Sequence, residues 1–249
     1  MGKYLFWIAL TALLAACGGG SGEHDGEDGR TSATPIVPAS PVTPVIPVST
    51  LDFPVEAVFS SLATSVSTFS ASAADAAGNS YLLSVDFTPG LDKTDTRIYA
   101  TPLKTFKQTN IVKKNGVIAS TINFEDFYLL GPYYFFGSLN NVSDTNNYMK
   151  VITHSTLPLT GRVGTAGSFF NGENHIKNAI LSPDTWHATW SVEADTATTA
   201  WLCLNIAMTS TNGPIGLTAE TDCYRINQAG NISGFKADIT ENGIKLNYR

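Results

Sequence analysis

The chain has 249 residues, of which 43% are hydrophobic and 14% charged. That balance supports a folded core and excludes a disordered polymer. The formal net charge is −6 with a pI near 5.1, and the longest basic run is Lys113-Lys114, so there is no electrostatic footprint for nucleic acid.

In chain order, the first element is a targeting segment. Lys3 supplies a positive charge, and Tyr4 to Leu14 is an apolar run too short to span a bilayer as a permanent helix. Leu14-Ala15-Ala16-Cys17 closes it. This quartet resembles the lipobox of bacterial lipoproteins, in which the cysteine takes a diacylglyceryl thioether and becomes the new N-terminus after cleavage. The resemblance implies a signal peptide over 1–16 and lipidation at Cys17. It also implies a membrane partner reached through covalent acyl chains of the palmitate kind, since more than one chain makes anchoring stable. Gly18 stands where aspartate would favour inner-membrane retention, so the resemblance implies a cell-envelope protein of the outer membrane, on its periplasmic or surface face. The competing reading is an ordinary secretory signal cut after Ala16.

Residues 17–49 read as a tether. Gly18 to Thr34 is rich in glycine and acids and has the composition of a flexible coil. Prolines then fall at 35, 38, 41, 44 and 47. A spacing of three puts them on one face of a polyproline II helix, a stiff spacer.

The globular part is expected over 50–249. Asp52 is a candidate helix cap, with Pro54 in the first turn and Val55, Val58, Phe59, Leu62 and Val66 at helical spacing. The period then changes to two. Tyr81, Leu83, Val85 and Phe87 share one strand face, and so do Trp186, Ala188, Trp190 and Val192. Turn signals recur at Pro89-Gly90, Asn115-Gly116, Asn171-Gly172, Asn212-Gly213, Ala229-Gly230-Asn231 and Asn242-Gly243. The expected fold class is all-β: a mostly antiparallel sandwich or partly open barrel of about a dozen strands, with one short N-terminal helix. A division into two β halves near 140–160 is the alternative.

Cys203 and Cys223 are expected to form a disulfide. A hairpin that pairs them is centred on residue 213, where Asn212-Gly213 is the favoured turn. Leu202, Leu204, Ile206 and Met208 then face the core, with Cys203 on the other face.

No Gly-x-Ser-x-Gly elbow, phosphate loop, zinc-protease motif or dinucleotide fingerprint occurs, so no catalytic residue and no cofactor is expected. Glu173, His175, Asp184 and His187 are weak metal candidates, and a chance hydrolase grouping of Asp144, His154 and Ser155 weaker still. Seven aromatics crowd "FEDFYLLGPYYFFGS", which Gly131-Pro132 bends. With Trp186 and Trp190, the residues Phe127, Tyr128, Tyr133, Tyr134, Phe135 and Phe136 are candidates for the wall of an apolar-ligand site. The alternative is a strand buried on both faces.

The stretch from Thr189 to Met208 and from Asp222 to Arg249 resembles segments of other Gly-tethered proteobacterial lipoproteins. That resemblance implies a location and a β fold, and no activity. A leading helix followed by antiparallel strands also resembles envelope lipid carriers with half-open barrels. The sequence therefore points to a lipid-anchored, non-enzymatic binding or structural module. Its partner would be a hydrophobic small molecule or an envelope protein. A carrier of a lipid or other apolar ligand is the first alternative and a metal-dependent hydrolase the second.

Overall fold

The computed structural model describes residues 49–140, 147–175, 184–209, 217–241 and 243–249. Cys17, the tether, Asp144 and the Asn212-Gly213 turn lie outside the described residues.

Twelve strands follow one another around a single antiparallel sheet. They are β2 (Ser67–Ala74), β3 (Ser80–Pro89), β5 (Tyr99–Lys114), β6 (Val117–Leu129), β7 (Tyr134–Asn140) and β8 (Tyr148–His154). The remainder are β10 (Ala166–His175), β11 (Asp184–Ala194), β12 (Thr199–Thr209), β13 (Leu217–Asn227), β14 (Ile232–Glu241) and β15 (Ile244–Tyr248). Short β4 (Lys93–Asp95) pairs with β5, while β1 (Phe53–Pro54) pairs with β9 (Thr160–Gly161). The sheet runs unbroken through β7, β8 and β10, so the division into two halves is replaced by one barrel-like wall. The ends meet where Ser72 and Arg249 exchange backbone hydrogen bonds of 3.0 and 2.8 Å. Near-closure of this kind removes most of the exposed sheet edge.

Period-2 alternation sets what faces inward. Tyr81, Leu83, Val85 and Phe87 are buried inside, as are Ala188, Trp190 and Val192. The opposite face of β11 carries His187, Thr189, Ser191 and Glu193, and that of β5 carries Lys107, Thr109 and Lys113. Cys203 and Cys223 sit on this outer face, directly opposed in register, with an S–S distance of 2.08 Å and Cα atoms 4.0 Å apart.

Helix α1 (Val55–Thr64) plugs one end of the barrel. Val55, Val58, Phe59, Leu62 and Ala63 are buried. The expected cap at Asp52 is corrected. The first helical N–H groups, of Val55 and Glu56, donate to the carbonyls of Leu159 and Pro158 at 3.1 and 3.2 Å. Asp52 instead accepts from Arg162 at 2.8 Å. Val66 is also corrected. The helix ends before it, and it stands 77% exposed.

Asn171-Gly172 is not a turn but lies within β10. A Cβ at Gly172 would approach the Lys150 carbonyl oxygen to 2.9 Å, so glycine here serves a close backbone approach rather than a reversal. Asn115 and Gly116 do form a turn, with φ of 50° and 81°.

A second apolar cluster lies outside the barrel wall. Phe127, Phe136 and Leu139 project outward and pack with Ile98 and Leu103, under the β4 segment. Lys93 of that segment pairs with Glu125 at 2.6 Å.

Candidate functional site: a carboxyl-lined chamber in the barrel

The barrel interior holds a half-open chamber of about 170 Å³. Its floor is the inner face of α1. Phe59 and Leu62 meet Tyr133 and Phe169 there, with Phe59 stacked on Phe169 at 5.3 Å and on Tyr133 at 6.4 Å. Two hydrogen bonds fix the helix to the wall. The Tyr128 hydroxyl donates to the Ala63 carbonyl at 3.3 Å, and the Tyr133 backbone N–H donates to Glu56 Oε1 at 3.0 Å.

Above the floor the wall turns polar. Gln108, Asn110, Ser138, Asn140 and Asn174 line it with three carboxyl groups, Asp126, Glu220 and Asp222. Among the described residues, no lysine, arginine or histidine lines it. Asp126 on β6 and Asp222 on β13 lie six strands apart in the twelve-strand order, on opposite walls.

The electrostatics follow from burial. Asp126 is pushed up to about 7, chiefly by desolvation, with Ser138 opposing and the Glu125 charge adding. Asp222 is held well above the usual carboxylate range by burial, by the charge of Glu220 and by a hydrogen bond with it. Asp222 is 8% exposed, and its Oδ1 has no hydrogen-bond partner. Burial also raises the Tyr133 and Tyr224 hydroxyls, so both remain phenols. Burial thus makes Asp126 and Asp222 harder to ionise than solvated carboxyls, and the amides of Gln108, Asn110, Asn140 and Asn174 set both donors and acceptors beside them.

The expected apolar wall divides. Tyr133, Phe135 and Trp186 line the chamber. Tyr128 is buried behind it, stacked on Tyr133 at 5.7 Å. Trp190 is buried at the plugged end against Gly167, where an added Cβ would come within 2.9 Å of its indole nitrogen. Phe127 and Phe136 belong to the outer cluster, with Tyr134 packed against it. The split arises from a register shift between Phe127 and Tyr128, which turns Phe136 outward beside Tyr99 at 4.9 Å.

The metal candidates are separated. Glu173 and His175 lie 3.5 Å apart on the outer face, where His175 stacks on Tyr148. His187 Nδ1 is 2.5 Å from Asn171 Oδ1, and Asp184 is on the inward period of β11. Among the described residues, three metal-ligating side chains come within 4.8 Å of one another only at Glu193, Cys203 and Cys223, whose sulfurs are joined as a disulfide. His154 packs on Tyr134 and Phe136 at the outer face, away from the chamber.

Sequence reading missed the three carboxyls, although a signal for two of them was present. Once Cys223 is placed outward by the disulfide, Glu220, Asp222 and Tyr224 must point inward by strand alternation. No family profile, curated protein or solved structure matches the chain.

Proposed function

We propose that this chain is a lipid-anchored envelope lipoprotein whose barrel holds a small molecule, a binding protein rather than an enzyme. The chamber carries the reading. It is concave, has an apolar floor and a few convergent polar groups, and sits inside a barrel, all features of ligand sites. Its size favours a small ligand over a phospholipid. About 170 Å³ compares with the ~150 Å³ engineered cavity that takes one benzene. One ring or a short chain fits that space better than a phospholipid, so the lipid-carrier alternative is the weaker one. The Leu14–Cys17 quartet supports the lipid anchor in this reading.

The test uses the full-length chain, expressed with its own leader in a Gram-negative host. Mass spectrometry and fractionation of the wild type should give an acylated Cys17 and a membrane-bound protein, and Cys17→Ser should release it. Native mass spectrometry of the released barrel should retain an adduct of small-molecule mass that denaturation removes. Recovery of unacylated protein from the soluble fraction would refute the anchor. A phospholipid adduct would refute the small-ligand reading.

A further inference from the structure

We infer that the chamber's ligand is a small organic cation, an ammonium group on an aromatic or short aliphatic body, its nitrogen set against Asp222 and Glu220 and its body on the Phe59–Leu62 floor. The inference rests on the ligand-binding reading above and specifies its chemistry.

Four observations converge. Asp222 is more than nine-tenths buried, lines the chamber and keeps Oδ1 without a donor. Folded proteins leave few such acceptors orphaned, and those they leave call for an explanation. Next, among the described residues the carboxyls of Asp126, Glu220 and Asp222 share the wall with no basic side chain, so nothing described there would neutralise an anion, whereas a carboxyl that ionises draws in a cation. An ammonium ion, with donors and no acceptor, is the complement of these carboxyls. Third, the three carboxyls do not gather within 4.8 Å of one another. That disfavours a bare metal ion, which needs a compact oxygen shell, and suits a larger cation held on one side. Finally, Tyr224 stands beside Asp222 on β13, and Tyr133 closes the floor. Aromatic faces add cation–π attraction to a desolvated ammonium.

Binding should displace a proton. Burial and Glu220 hold the Asp222 carboxyl well above the usual carboxylate range, which favours its protonated form. The groups facing it are Glu220 and Tyr224 on its own strand, Leu204 on β12, Ala237 on β14 and Asp126 across the chamber. None of these is cationic. The arriving ammonium stabilises the carboxylate, the proton leaves to solvent, and affinity rises with pH.

Calorimetric titration of the full-length chain with three matched probes tests this: 2-phenylethylammonium, 2-phenylethanol and 3-phenylpropionate. The expected order is the ammonium at least tenfold tighter than the alcohol, with the propionate weakest. Ammonium affinity should increase between pH 5.5 and 8.5. Asp222→Asn and, independently, Glu220→Gln should bring the ammonium-to-alcohol ratio close to one, with thermal melts reporting that each variant is folded. Equal binding of ammonium and alcohol by the wild type, or an unchanged ratio in both folded variants, overturns the cation inference and leaves the chamber reading standing. Binding of none of the three probes, nor of toluene, overturns both.

Discussion

Ser72 and Arg249 exchange two backbone hydrogen bonds, N–H to carbonyl in each direction, at 3.0 and 2.8 Å. They are a hydrogen-bonded pair of the antiparallel kind, and they join the first and last strands of the twelve-strand path. The Arg249 guanidinium ties the chain end to β14, pairing with Asp238 at 2.7 Å. The Ser72 N–H points to Arg249 and not to β3, so Ser72→Pro removes a seam bond while sparing the β2–β3 ladder. The variant should lose about 3 kcal/mol or less. Hydrogen exchange should show β2 and β15 amides opening first.

The outer face holds the second constraint. Cys203 and Cys223 tie neighbouring strands across a separation of 20 residues. The double variant Cys203→Ser/Cys223→Ser should lose roughly 3 kcal/mol in the chain-entropy picture, read as a lower urea midpoint with a steeper slope from the more expanded unfolded chain. Strand register comes from the ladder itself, so far-ultraviolet circular dichroism should be unchanged.

Phe127 tests the cluster outside the barrel. It is fully buried among Ile98, Leu103, Phe136 and Leu139. Phe127→Ala should cost about 3–5 kcal/mol and expose β4 to proteolysis. Val66→Ala, at a site 77% exposed, is the control and should shift stability by less than about 0.5 kcal/mol.

Asp126 gives stability a pH dependence. Its carboxyl is raised in the folded state to about 7 from 3.8, so the fold binds more protons than the unfolded chain between those values. The stability associated with protonated Asp126 is complete below the unfolded value and is lost as pH rises through the folded one. Asp126→Asn should therefore be more stable than wild type at pH 8, by on the order of 4 kcal/mol at most, with the gap closing toward pH 4. Urea melts at the two pH values measure it. A gap that widens on acidification would contradict the assignment.

Much of this architecture was legible in the residues. Alternation in 81–87 and 186–192 marked inward faces, and the Cys203–Cys223 spacing set a hairpin register that the structure reproduces. Other features depend on contacts that no local pattern encodes. Asn171-Gly172 has turn chemistry, yet the passing backbone of Lys150 is what needs that glycine. The aromatic run of 124–136 looked like one wall. A register shift after Phe127 sends part of it into the chamber and part into a core beyond the barrel. The helix cap went to carbonyls about a hundred residues away in sequence. The carboxyls at 126, 220 and 222 look like ordinary solvated acids until the wall closes around them.

The central claim is that the barrel keeps an open chamber floored by α1. A crystal of the full-length chain under xenon pressure tests it most directly, because xenon enters dry apolar cavities. The account predicts a xenon atom inside the chamber, resting on the apolar floor formed by Phe59, Leu62, Tyr133 and Phe169. Density showing the chamber above that floor filled by its own lining side chains, with no xenon, would contradict it.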